Sequence, residues 1–283
     1  MPTGHAQLTR YLVRLPNWLG DALMARPLLL SLRTAFPLAE VIAVGPASLL
    51  DLLAGDGLWD SALALSDVRL ARKKLRAQRV DAAIICPPSF SSAWLAWQIG
   101  AAIRAGFRGE LRDAMLTHPV ARPQRGEMHL SREYLTLGEA IGARGAGTLE
   151  PLPVSGPSVI AARQLSGDFP YAIIGPGAVY GPAKRWPVER YAEVARQLVE
   201  RGVRVLACGA QAERSICEEV AGRAGGGVVS LAGRTDLGVQ AALCAGARVT
   251  VCNDSGLAHL AAATGAPTVS VFGSTSSAWT APL

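Results

Sequence analysis

Lysine is nearly missing from this 283-residue chain: of its 28 basic residues, three are lysine and 25 are arginine. Aromatic residues are few, at 6%, which leaves little from which to build a stacking platform for single-stranded nucleic acid. The five cysteines, Cys86, Cys208, Cys217, Cys244 and Cys252, show no CxxC spacing. Their apolar surroundings read as buried free thiols in a reducing compartment, not as metal ligands or disulfides. There is no GxxxxGK[ST] segment, which excludes a Walker-type phosphate loop. The opening "MPTGHAQLTRYLVRLPNW" has no apolar core of signal-peptide length. Two stretches without charged residues, 82–103 and 255–283, are long enough to test as membrane spans. "PPSFSS" interrupts the first and repeated Gly, Ser, Thr and Pro the second, so each reads as strand plus helix. The expectation is a soluble, cytoplasmic protein.

What is present is globular. Half the residues are hydrophobic, and 30 glycines and 18 prolines punctuate them without low-complexity tracts. The net charge of +6 divides into +4 over residues 1–150 (17 bases, 13 acids) and +2 over the rest (11 bases, 9 acids). Such a surplus favours anionic ligands: nucleotide diphosphates, phosphorylated glycans or an acidic membrane face. It is too dispersed for DNA, and no nucleic-acid partner is expected.

Short aliphatic runs alternate with longer helical patterns. "QLTRYLVRL", "VIAVGP", "DSALALS" and "DAAIICPPS" read as strands; "DALMARPLLLSLRTAFP", "ASLLDLLAG", "DVRLARKKLRAQR" and "SSAWLAWQIGAA" read as the helices between them. The alternation restarts after the Pro/Gly/Ser-rich stretch 147–158. Strands "YAIIGPG", "VRVLACG", "GVVSLAG", "RVTVCND" and "PTVSVFG" then enclose four helices. The class is α/β, with two doubly wound Rossmann-like domains, 1–154 and 155–283, and a ligand cleft at the carboxyl ends of their strands.

Four strand ends carry candidate chemistry. In "CNDSGLAHLAAATGAP", Asp254 and Ser255 fall where a helix begins, Gly256 admits a phosphate close to the backbone, and His259 follows one turn later on the same face. The plainer alternative is an N-cap and a packed histidine. In "GPGAVYGPAKRWP", the glycines around Gly177 and Ala178 make a wrapping loop. Lys184 and Arg185 supply its charge, and Lys184 is the only lysine after residue 74. In "RLPNWLGDALMARP", Asp21 follows a glycine at the first strand-to-helix junction. It is either a base for a substrate hydroxyl or a helix N-cap, and spacing alone favours the cap. In "CGAQAERS", Glu213 either reaches a ribose hydroxyl or serves the helix dipole. The run 69–79 holds six bases and no acid. It reads as a solvated helix face, with a landing patch for an anionic membrane or phosphorylated acceptor as the alternative.

Taken together, six segments resemble the bacterial ADP-heptose:lipopolysaccharide heptosyltransferases, and within them the type II enzymes. They are "LPNWLGDALMARPLLLSLRTAFP", "PPSFSSAWLAWQIGAAIRAGFRGELRD", "GPGAVYGPAKRWP", "GRTDLGVQAALCAGA", "CNDSGLAHLAAATGAP" and "VFGSTSS", in family order. The resemblance implies a GT-B fold, an N-terminal domain for the lipopolysaccharide core acceptor and a C-terminal domain for ADP-heptose. It implies that Asp21 is the general base of an inverting transfer and that Lys184 neutralises the diphosphate. Gly177, Ala178, Arg185, Glu213, Asp254, Ser255, Gly256, His259 and Gly273 would surround the donor. Asn17, Trp18, Ser89 and Arg108 would meet the acceptor. No DxD-type carboxylate cluster stands in either half, which suits a mechanism needing neither metal nor other cofactor. It also implies a cytoplasmic enzyme, in peripheral contact with the inner face of the inner membrane. The chain stops at Leu283, where members of the family usually continue, so the alternative expectations are a shortened or catalytically silent ADP-sugar-binding relative and a heptosyltransferase of type I or III with a different acceptor.

Overall fold

The computed structural model describes residues 9–66, 68–109, 111–145, 147–179 and 181–283. The opening residues of the expected strand 7–15, Asp67 at the head of the expected basic helix, Glu110 and Tyr180 lie outside them. The chain divides between Glu150 and Pro151 into two compact units. The Pro/Gly/Ser-rich stretch 147–158 spans this division.

In the first unit the order is β1 (Arg10–Arg14), α1 (Leu19–Met24), α2 (Arg26–Ala35), β2 (Glu40–Gly45), α3 (Ala47–Leu53), β3 (Ser61–Ala64), α4 (Val68–Ala77), β4 (Ala82–Ile85), α5 (Phe90–Gln98), β5 (Ile103–Phe107), β6 (His118–Val120) and α6 (Leu130–Glu139). The six strands form one parallel sheet in the order β3-β2-β1-β4-β5-β6. β2 and β4 are almost wholly buried, as strands covered by helices on both faces should be. One helix was expected over 21–37, and there are two. Pro27 in the first turn of α2 has no N–H to extend α1, but its fixed φ suits a helix start.

The second unit runs α7 (Gly156–Ser166), β7 (Tyr171–Gly175), α8 (Val188–Glu200), β8 (Arg204–Ala207), α9 (Arg214–Ala224), β9 (Val228–Ser230), α10 (Leu237–Gly246), β10 (Thr250–Asn253), α11 (Gly256–Ala263), β11 (Thr268–Val271) and α12 (Ser277–Thr280). Its sheet is parallel, in the order β11-β10-β7-β8-β9. Leu206, Leu243 and Ala261 are fully buried in one cluster that also holds Ile173; Ile174, Tyr191 and Val205 centre another. Both sheets are thus doubly wound, as the alternation of strand and helix implied.

Candidate functional site

In the second unit, β7, β8 and β9 step one way across the sheet while β10 lies on the other side of β7. That reversal sets the carboxyl ends of β7 and β10 side by side, the place where open α/β sheets receive ligands. The loops leaving those two ends carry most of the expected donor residues, and side-chain contacts bind them together. Lys184 Nζ donates to Asp254 Oδ2 at 2.7 Å, and Thr275 Oγ1 donates to the same oxygen at 2.6 Å. The Asp254 side chain is 4% exposed and that of Lys184 20%. A charge-assisted pair so shielded from water holds the ammonium in one place. Asp254 is therefore not an N-cap. Ser255 occupies the N-cap position of α11, yet its side chain makes no capping hydrogen bond.

Asn253, fully buried, joins the loops. Its Oδ1 accepts from Trp186 N at 2.9 Å and from the Tyr191 hydroxyl at 2.8 Å, while its Nδ2 donates to the Pro176 and Gly177 carbonyls at 2.8 and 3.1 Å. An amide can do this because it offers donors and acceptors on one rigid plane. Burial drives the Tyr191 phenol far above its usual range, so its hydroxyl stays a proton donor to Asn253. The Glu213 carboxylate accepts from Ala210 N at 2.8 Å and rests against Gly177, where any side chain would overlap it. Arg185 Nη2 donates to the Ala178 carbonyl at 3.3 Å. A Cβ on Gly273 would lie 3.1 Å from the Ala183 carbonyl, so this glycine packs on the Lys184 loop. Gly256 opens α11, and His259, 6% exposed, sits within it.

The first unit repeats the topology. β1 leads to β2 on one side and β4 lies on the other, so the carboxyl ends of β1 and β4 form the corresponding crevice. Asp21 stands in the first turn of α1, whose N-cap position is Trp18. The N-cap alternative for Asp21 is thus incorrect: helix geometry starts before it. Its carboxylate is half-buried, and its charge is felt by two neighbours. Burial first, then Asp21, drives the Tyr134 phenol far above its usual range. Burial also pushes the Cys86 thiol up to about 12; the Arg14 guanidinium opposes this and Asp21 adds to it. Arg14, 7% exposed, donates to the Leu15 carbonyl and to Asn17 Oδ1, and burial lowers its pKa. This cation fixes Asn17 just beyond the end of β1.

The four expected acceptor residues divide. Asn17 and the exposed Trp18 sit at the β1 end with Asp21. Ser89 follows β4 and acts as the N-cap of α5, accepting from Ser92 N at 3.3 Å. Arg108, just after β5, is exposed and pairs with Asp113 at 3.2 Å. Sequence reasoning missed Tyr191 and Arg14, and it included Asn253 and Thr275 only as members of the donor-site segments Asn-Asp-Ser-Gly and "GSTSS". Asn253 carried a signal, an amide ending an apolar strand directly before Asp-Ser-Gly.

Among the described residues, no group of three or more His, Cys, Asp or Glu is placed to hold a metal ion, and no helix is long and apolar enough to cross a membrane. The family model for "Glycosyltransferase family 9 (heptosyltransferase)" matches residues 68–283. Lipopolysaccharide heptosyltransferase 2 of Escherichia coli K12 is 30% identical over 95% of this chain and 84% of its own length. Lipooligosaccharide heptosyltransferase 2 of Haemophilus ducreyi is 32% identical over the same shares. The solved structure of E. coli ADP-heptose lps heptosyltransferase II superposes with a TM-score of 0.85 at 31% identity, covering 97% of this chain and 88% of that one.

Proposed function

Because the chain belongs to glycosyltransferase family 9, the heptosyltransferases, and has their GT-B fold, we propose that it transfers L-glycero-D-manno-heptose from ADP-heptose to the inner core of lipopolysaccharide. The observation that carries this reading is the Lys184–Asp254–Thr275 cluster at the sheet reversal of the second unit. A shielded ammonium beside the start of α11 suits a diphosphate.

In this reading the second unit holds the donor. Lys184 and the amides around Ser255 and Gly256 meet the diphosphate, while Glu213, held against Gly177, reaches the ribose. Arg185, Ala178 and Gly273 shape the loops, and His259 supports the turn. The first unit holds the acceptor near Asn17, Trp18, Ser89 and Arg108. Asp21 takes the proton of the acceptor hydroxyl as that oxygen attacks the anomeric carbon. The bond from that carbon to the diphosphate breaks, ADP leaves, and the configuration inverts. Lys184 meets the charge that develops on ADP, and no cofactor is needed for that step. The enzyme works in the cytoplasm, at the inner face of the inner membrane.

The test is transfer to heptose-deficient lipopolysaccharide core, read as the mass of one heptose added to the glycan. The expected result is one addition per acceptor, unaffected by EDTA. ADP binding without transfer would instead identify a silent relative.

A further inference from the structure

α4 and α5 pack on the same face of the first sheet. Leu75 of α4 and Ala93, Leu95, Ala96 and Ile99 of α5 enter one buried cluster with Leu12, Ala83 and Ile85 from the strands. The outward faces of the two helices therefore look away from the sheet together, and their chemistry is complementary. On α5 three aromatic rings are exposed: Phe90 at 47%, Trp94 at 41% and Trp97 at 49%. They stack in series, with centroids 6.1 Å apart for Phe90–Trp94 and 4.9 Å for Trp94–Trp97. On α4, Arg72, Lys73, Lys74 and Arg76 are exposed and make no ion pair among the described residues. Neither helix carries an acid.

Isolated exposed apolar side chains are ordinary, but three stacked rings form a continuous patch, which marks an interaction surface. Tryptophan beside lysine and arginine is the composition of protein surfaces that lie at the headgroup level of a bilayer, the indole entering the interface and the cations facing anionic lipid. We propose that the outward face of α4 and α5 docks the protein on a membrane leaflet rich in anionic phospholipid. Charge complementarity selects this occupant: a second copy of the chain would bring the same uncompensated cations against themselves. The inference builds on the reading that the acceptor is a membrane glycolipid, but the contact with lipid needs neither donor nor acceptor.

The experiment is co-sedimentation of the full chain with vesicles of phosphatidylglycerol and phosphatidylethanolamine, against vesicles of phosphatidylcholine. Three proteins are compared: the natural chain, Trp94→Ser/Trp97→Ser, and Arg72→Glu/Lys73→Glu/Arg76→Glu. All five side chains are exposed, and circular dichroism confirms folding. The natural chain should bind the anionic vesicles, weaken as salt rises, and largely ignore phosphatidylcholine. One basic residue near an anionic surface changes partitioning about five-fold, so the triple variant should lose at least about 100-fold. The tryptophan variant should lose binding at every salt concentration. It should keep its transfer rate on a lipid-free core glycan while slowing on vesicle-borne acceptor. No vesicle binding by the natural chain, equal binding to phosphatidylcholine, or a dimer that the tryptophan substitutions dissolve would each overturn the proposal. Vesicle binding without transfer to either acceptor would leave it standing and overturn the transferase reading instead.

Discussion

Lys184 is held to Asp254 at 2.7 Å, and this geometry sets what its substitution should do. Lys184→Met removes the cation and leaves a nearly buried carboxylate with only the Thr275 hydroxyl. The expected outcome is a fall in kcat of about 10²- to 10³-fold, the scale of losing one preorganised partner for developing charge. Lys184→Arg should restore little, because a planar fork cannot replace a compact ammonium at this distance. Steady-state kinetics with ADP-heptose checks both. The cysteines give a pH prediction. Burial pushes the thiols of Cys86, Cys208, Cys217, Cys244 and Cys252 each above the ordinary thiol range, up to about 12. A raised thiol pKa contributes stability that is intact below the unfolded value and is lost as pH climbs toward the folded one. Stability should therefore fall from about pH 9 upward, in denaturant titrations across that range. At pH 8 Ellman's reagent should find no rapidly reacting thiol until the protein unfolds. The buried thiols were legible from their apolar neighbours. Asn253 was less so: nothing in its spacing says that one amide joins Trp186, Tyr191, Pro176 and Gly177.

At the scale of elements, long runs with one dominant period were readable, as in α8 and the buried strands β2 and β7. The region 103–139 was not, because its signals are short and mixed. β5 contains Arg104, whose guanidinium folds back onto the Ala101 and Met115 carbonyls and so satisfies a charge that argues against a strand. β6 is three residues long with Pro119 at its centre, a position tolerated because β6 is an edge strand. Two elements meet at a buried ion pair. Arg26, opening α2, donates twice to Asp56, at 2.7 and 2.8 Å, and once to the Glu150 carbonyl at 2.9 Å. Arg26→Met strands the Asp56 carboxylate in a nearly dry site and should cost about 3–5 kcal/mol, read as a lower midpoint of chemical denaturation. Asn253→Ala leaves the Trp186 N–H and two carbonyls without their partner. It should destabilise the second unit and raise KM for ADP-heptose more than it lowers kcat.

For the whole molecule, both sheets place their candidate residues at a reversal of strand order, one after β1 and β4, the other after β7 and β10. Alternating strands and helices made two such sheets readable, whereas strand order depends on pairing between distant segments and left no local trace. In the proposed reaction the work is divided between the units: donor residues in the second, acceptor and base in the first. Asp21 is where that division is most exposed to test. The most direct measurement is the rate of ADP release from ADP-heptose, with and without heptose-deficient core, for the natural chain and Asp21→Asn, with ADP binding by both measured alongside. If Asp21 is the base, release depends on the acceptor and falls about 10²- to 10⁴-fold in the variant while ADP affinity is unchanged. Release that is equally fast in Asp21→Asn would contradict that role.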